Sequence, residues 1–248
     1  MFKKIIGYIT TSKKDKLPVD LGVPDLPNEV YGSKSPIKND YFKAIVNEHF
    51  LPKIYEKGFK GKDFFFYREN EIYTEIVFFW TIRHSGAVQV DLLVKFNNII
   101  YPDNSTPLKT KQLRPDNCEH TKRLSPGGQE KWFWVFQDSN DYNIEIANDI
   151  WRLFSEIGLD YFKQFENHRL YLSQVNDKNY LYFPDFQLVK FFGRFERGII
   201  FFLFDYWRQQ GDKNKALMFA KVGLERVEES SYLKVFNDYI TQTERTEQ

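Results

Sequence analysis

The segment Ala87-Val88-Gln89-Val90-Asp91-Leu92-Leu93-Val94-Lys95-Phe96-Asn97 decides the fold. Val88, Val90, Leu92, Val94 and Phe96 fall on one side, and Gln89, Asp91, Lys95 and Asn97 on the other. Leu93 is the one apolar exception. A period of two over this length marks a half-buried strand. Just upstream, Ile72-Tyr73-Thr74-Glu75-Ile76-Val77-Phe78-Phe79-Trp80-Thr81-Ile82-Arg83 is joined to it by His84-Ser85-Gly86. Two such segments across so short a link form an antiparallel hairpin. One face then packs under helices, and the other is expected to be wet, carrying Tyr73, Glu75, Thr81, Arg83, Gln89, Asp91 and Lys95.

Working outward, Phe64–Glu69 reads as a preceding strand and Glu69-Asn70-Glu71 as its turn. A helix from Asn39 or Asp40 to about Tyr55 places Phe42, Ile45, Val46, His49, Phe50 and Ile54 on one stripe. Pro52 should kink or restart it, and Lys57-Gly58 should end it. Downstream, Ile99–Tyr101 reads as a short edge strand, Pro102–Gln129 as loop, and Lys131–Gln137 as strand. Asn140 or Asp141 caps a second long helix carrying Ile144, Ala147, Ile150, Trp151, Phe154 and Ile157, which Gly158 is expected to break. Beyond Phe186 the pattern is helical throughout. Phe195–Gln210 is apolar on most sides and therefore central. Gly211-Asp212 leads into Lys213–Val227, and a last helix runs from Ser230 or Ser231 to about Thr241, with a frayed polar end. The expected class is α+β: an antiparallel β-meander sheet covered by helices on one face, with a C-terminal helical bundle. Residues 1–40 form an irregular arm holding Pro18, Pro24, Pro27 and Pro36 and a short strand Lys4–Thr10; 41–175 form the α+β domain; 176–248 form a helical region packed on it.

Composition narrows the function classes. The 248 residues carry 35 basic and 34 acidic side chains, so no overall field favours nucleic acid or membrane. Cys118 is alone, which excludes an internal disulfide and a four-cysteine zinc site. The longest apolar run, Gly198–Phe204, is far short of the roughly 20 residues that cross a bilayer. The opening Met1–Ile9 is too short in apolar length for a signal peptide, which makes the cytoplasm the expected location. Aromatic residues reach 18%, and most sit at core periodicity.

Phe50-Leu51-Pro52-Lys53-Ile54-Tyr55-Glu56-Lys57-Gly58-Phe59-Lys60-Gly61-Lys62-Asp63-Phe64-Phe65-Phe66-Tyr67-Arg68 resembles the opening of the family called domain of unknown function 4304. There a helix ends in Gly-Phe, and a lysine-rich turn and an aromatic-plus-arginine strand lead into a meander. Arg123, Trp132 and the Ile150–Phe162 helix are similar in order to its second half, so the resemblance spans about residues 40–170. It implies a fold and no particular chemistry. Leu203–Glu225 is similar to a single tetratricopeptide-type helical hairpin, whereas a solenoid needs three or more copies.

Catalytic patterns are weak. Cys118 and His120 are the only thiol–imidazole neighbours, while His49, His84 and His168 are scattered over other elements. Gly58-Phe59-Lys60-Gly61-Lys62 follows a helix and precedes a strand, the reverse of a phosphate cradle. Residues 1–62 hold 12 lysines against 7 acids, and lysine interleaved with rings suits single-stranded nucleic acid. Phe59 and Phe64 read more simply as core, which argues against that partner. The expectation is a non-enzymatic bacterial module that binds another protein, with an immunity-type or accessory role as one form. No cofactor, metal or membrane is implied. The alternative is an enzyme or small-molecule binder with an aromatic-lined pocket, in which Arg68, Arg83 or Arg123 holds the anion of a phosphorylated metabolite.

Overall fold

In the computed structural model, Tyr73–Ile82 (β3) and Ala87–Phe96 (β4) pair antiparallel in unbroken register, from Tyr73 opposite Phe96 to Ile82 opposite Ala87. The structure describes residues 39–82, 86–102, 108–128, 132–137, 139–180 and 196–246. The N-terminal arm with its expected strand, Arg83, the His84-Ser85 pair, Lys131 and residues 181–195 lie outside them.

Lys60–Lys62 (β1) and Phe65–Glu69 (β2) precede the hairpin, and the sheet order β1-β2-β3-β4-β5 is the expected meander. His120–Arg123 (β5) and Trp134–Val135 (β6) both pair with β4, one beyond the other along its far edge. The class is α+β.

Helix α1 (Asn39–His49) and the short α2 (Leu51–Tyr55) bury Phe42, Ile45, Val46, Phe50 and Ile54. Pro52 stands in the first turn of α2, where its missing N–H costs nothing, so the chain restarts there. Phe50 meets Phe66, Phe79, Trp151 and Phe154 at ring separations of 5.5, 5.2, 5.7 and 6.0 Å, tying α2 to the sheet and to α3 (Asn140–Leu153). The cap of α3 is Ser139, whose hydroxyl accepts the N–H of Tyr142, one residue before the expected Asn140 or Asp141.

Gly158 does not break the helix. Residues Phe154–Gly158 form a π turn that runs straight into α4 (Leu159–Lys163), then a 3₁₀ turn and α5 (His168–Ser173). A β-carbon on Gly158 would lie 2.6 Å from the Phe154 ring and 3.4 Å from Leu92, so glycine here lets the helix lie directly on β4. The extra residue of the π turn brings Gly158, Tyr161, Phe162 and Phe165 all to the core side.

Helix α6 (Glu196–Gln209) buries every residue from Gly198 to Trp207, as expected of a central helix. Asp212 caps α7 (Lys213–Arg226) by accepting the N–H of Lys215 at 3.0 Å. The last helix, α8 (Ser230–Thr246), continues past the expected end at Thr241 and stays ordered by burying Ile240 and Thr243. Phe96 contacts Phe202 and Tyr206 at 5.0 and 5.8 Å, so the C-terminal helices and the sheet share one core. Among the described residues no helix is long and apolar enough to cross a membrane.

Further expectations need correction. Ile99–Tyr101 is not a strand, although Ile99 and Tyr101 are buried. The stretch read as loop contains β5, while the strand expected over Lys131–Gln137 contracts to β6. The second sheet face is not a bare polar surface. Register with β4 turns Tyr73, Glu75 and Thr81 to the helix side and leaves Thr74, Ile76, Phe78 and Trp80 opposite. There Ile76 and Leu93 form a small second core with Leu113 and Cys118 of the loop before β5. Leu93, the exception in the alternation, is the residue that loop covers.

Candidate functional site

The β2–β3 ladder ends where Phe65 faces Phe78, its last bond running from the N–H of Phe79 to the carbonyl of Phe64 at 2.9 Å. Beyond it β3 projects through Trp80, which is 47% exposed on a strand that is otherwise largely buried. The Phe78 and Trp80 rings stand edge to face at 5.8 Å.

The neighbouring wall is the segment before β5. Two 3₁₀ turns, Thr110–Gln112 and Pro115–Asn117, shape it. Gln112 accepts the N–H of Lys109, and Asn117 accepts the N–H of Arg114. Leu113 and Cys118 anchor the segment on Ile76 and Leu93. Arg114 is thereby held with its guanidinium 5.1 Å from the Phe78 ring centre, a cation–π contact. Its Nη1 donates to the backbone carbonyls of Leu113 and Lys111, and among the described residues it forms no ion pair. Lys109 and Lys111 on the same segment are exposed. Phe64, Phe78, Phe79, Trp80, Arg114 and Asp116 line the resulting cleft of about 610 Å³. It offers ring faces for an apolar side chain, with Arg114 and Asp116 as its charged lining groups.

The three arginines singled out in the sequence do not converge. Arg68 lies on the helix side of β2. It donates to Glu75 at 2.6 Å and to the Lys57 carbonyl at 2.9 Å, and it covers the Phe59 ring. Arg123 lies on the opposite face, donating to Asp91 at 2.5 Å. Two intervening strands put β2 and β5 about 14 Å apart. Arg83 is outside the described residues. Burial outweighs these partners at both carboxylates: the pKa of Glu75 and that of Asp91 are raised, first by desolvation, with Arg68 and Arg123 opposing.

Cys118 and His120 are separated by the sheet, the thiol in the second core and the imidazole among Phe96, Phe165, Tyr171 and Phe202. Among the described residues no group of three His, Cys, Asp or Glu side chains is placed to hold a metal ion. Trp80 and Arg114 escaped the sequence reading. Their signal was β3 itself, apolar at both parities through Ile76, Phe78, Trp80 and Ile82, which a strand with one wet face would not be. No family model, curated protein or solved structure matches the chain.

Proposed function

We propose that this protein is a non-enzymatic binding module that holds a segment of another protein in the Trp80 cleft. The observation that carries the reading is the exposed Trp80 ring beside Phe78, with the Arg114 guanidinium held over the Phe78 ring. Tryptophan and arginine around an apolar floor are the residue types that concentrate binding energy at protein interfaces. Arg114 at the cleft, with Lys109 and Lys111 exposed on the same segment, favours a segment with an aromatic or aliphatic side chain flanked by acidic residues. A phosphorylated metabolite finds less support, because Arg68 and Arg123 already engage Glu75 and Asp91. The likeness to domain of unknown function 4304 belongs to the same proposal and rests on the sequence of residues 50–68 alone.

Selection from a displayed peptide library tests the proposal. Segments enriched on the full-length protein should carry Asp or Glu around one large apolar residue. Their affinity should fall at least tenfold in Trp80→Ala and in Arg114→Ala. Enrichment of basic segments, or equal binding by both variants, would overturn it.

A further inference from the structure

The interior between β5 and helices α4, α5 and α6 buries polar groups among its aromatic rings. His120 is fully buried, with its Nε2 3.4 Å from the Tyr171 hydroxyl. Tyr161 and Tyr206 add two more phenols, each with a buried hydroxyl oxygen and no hydrogen-bond partner among the described residues. The rings are linked. Tyr161 packs on Phe165 at 5.3 Å, and Phe165 touches His120 at 5.0 Å and Tyr171 at 6.1 Å. From the other side Tyr206 packs on Phe202 at 5.9 Å, and Phe202 touches His120 at 6.0 Å. Each phenol is one donor and an acceptor, and a buried hydroxyl left unpaired is unfavourable. Native interiors meet such groups with ordered water that makes two to four hydrogen bonds.

We infer that ordered water occupies this part of the core, bridging the hydroxyls of Tyr161 and Tyr206 and the Tyr171–His120 pair. The water joins α4, α5 and α6 to β5 through a shared hydrogen-bond network, so the helical region is bonded as well as packed against the sheet. The site is independent of the Trp80 cleft.

Tyr→Phe substitutions test this, because they remove only the hydroxyl and preserve the ring packing. Each of Tyr161→Phe and Tyr206→Phe should raise the unfolding equilibrium constant roughly five- to tenfold in urea titrations. The double variant should raise it by less than the product of the two, because a shared water cluster is lost once. A high-resolution crystal structure of the full chain should show solvent within hydrogen-bond reach of both oxygens. Single variants as stable as the parent, fully multiplicative effects, or absence of that solvent would each overturn the inference.

Discussion

The carboxylate of Glu119 accepts the backbone N–H of Phe96 at 2.7 Å. The β4–β5 ladder stops at Val94 opposite His120, and Phe96 is the next donor on that edge, so a side chain completes what a strand would have supplied. The same carboxylate accepts Lys95 Nζ and the Tyr101 hydroxyl, both at 2.8 Å. Lys95 also donates to the carbonyls of Phe96 and Ile99, closing the chain after β4 around one buried ion pair.

Glu119→Gln should therefore be severely destabilising, by about 3–5 kcal/mol, because it leaves the Lys95 ammonium unpaired beside backbone groups. The double variant Glu119→Gln/Lys95→Met should recover part of that loss, since no uncompensated charge remains. Urea unfolding of the three proteins measures both effects.

Gly158→Ala should cost about 1–3 kcal/mol, because the added methyl overlaps the fully buried Phe154 ring. Gly223→Ala should cost a similar amount, its β-carbon falling 2.4 Å from the Phe236 ring at the contact of α7 with α8. Thermal melts followed by circular dichroism check both. An unchanged melting point for Gly158→Ala would mean that the Phe154 ring can shift away from the new methyl without loss of packing.

Alternation made β4 legible, since Val88, Val90, Leu92, Val94 and Phe96 are all core residues on the helix side. β5 was not legible: His-Thr-Lys-Arg has no alternating apolar signal, and its place comes from pairing with β4 rather than from its own side chains. The second face is not legible from β3 because its polar Glu75 and Thr81 share the parity of the core residues, while Ile76 and Phe78 at the other parity need a cover. The site suffered from the same cause. Sequence reasoning favours arginines near strands as anion holders, but Arg68 and Arg123 face carboxylates that become their partners only once the register is formed. Arg114 lies in a segment with no periodicity, and its place over Phe78 depends on Leu113 and Cys118 reaching the second core.

Trp80 and Trp134 should separate binding from stability. Trp80→Ala removes a ring that is half in solvent and should leave the melting temperature nearly unchanged. Trp134→Ala removes a fully buried ring and its hydrogen bond to Asp149, and should cost about 3–5 kcal/mol. A large loss of stability in Trp80→Ala would identify that ring as structural and remove the main support for the binding cleft.

Lys122 is half-buried over the Tyr161 ring at 5.6 Å, and desolvation lowers its pKa. A depressed folded pKa means that the charged amine is a cost at neutral pH, relieved as pH rises toward the unfolded value. Lys122→Met should thus match or exceed the parent in stability at pH 7. The parent should close the gap as the pH is raised toward 10. A variant markedly less stable than the parent at pH 7 would contradict this.

His168 gives the opposite region of the pH profile. Burial lowers its pKa, outweighing the hydrogen bond from Nδ1–H to the Phe165 carbonyl at 2.7 Å, and Arg169 lowers it further. The folded protein therefore resists protonation that the unfolded chain accepts near pH 6.5. Its contribution is present above that pH and is lost as the pH falls through the folded value. Glu75 and Asp91, with raised values, have the opposite sign and gain at low pH, so the parent curve alone mixes the two. The difference between parent and His168→Asn isolates the histidine, because asparagine keeps a donor toward Phe165 without a titrating ring. Between pH 7.5 and 5.5 the parent should lose more stability than His168→Asn in urea titrations. Parallel curves across that interval would show that the imidazole does not titrate differently on folding.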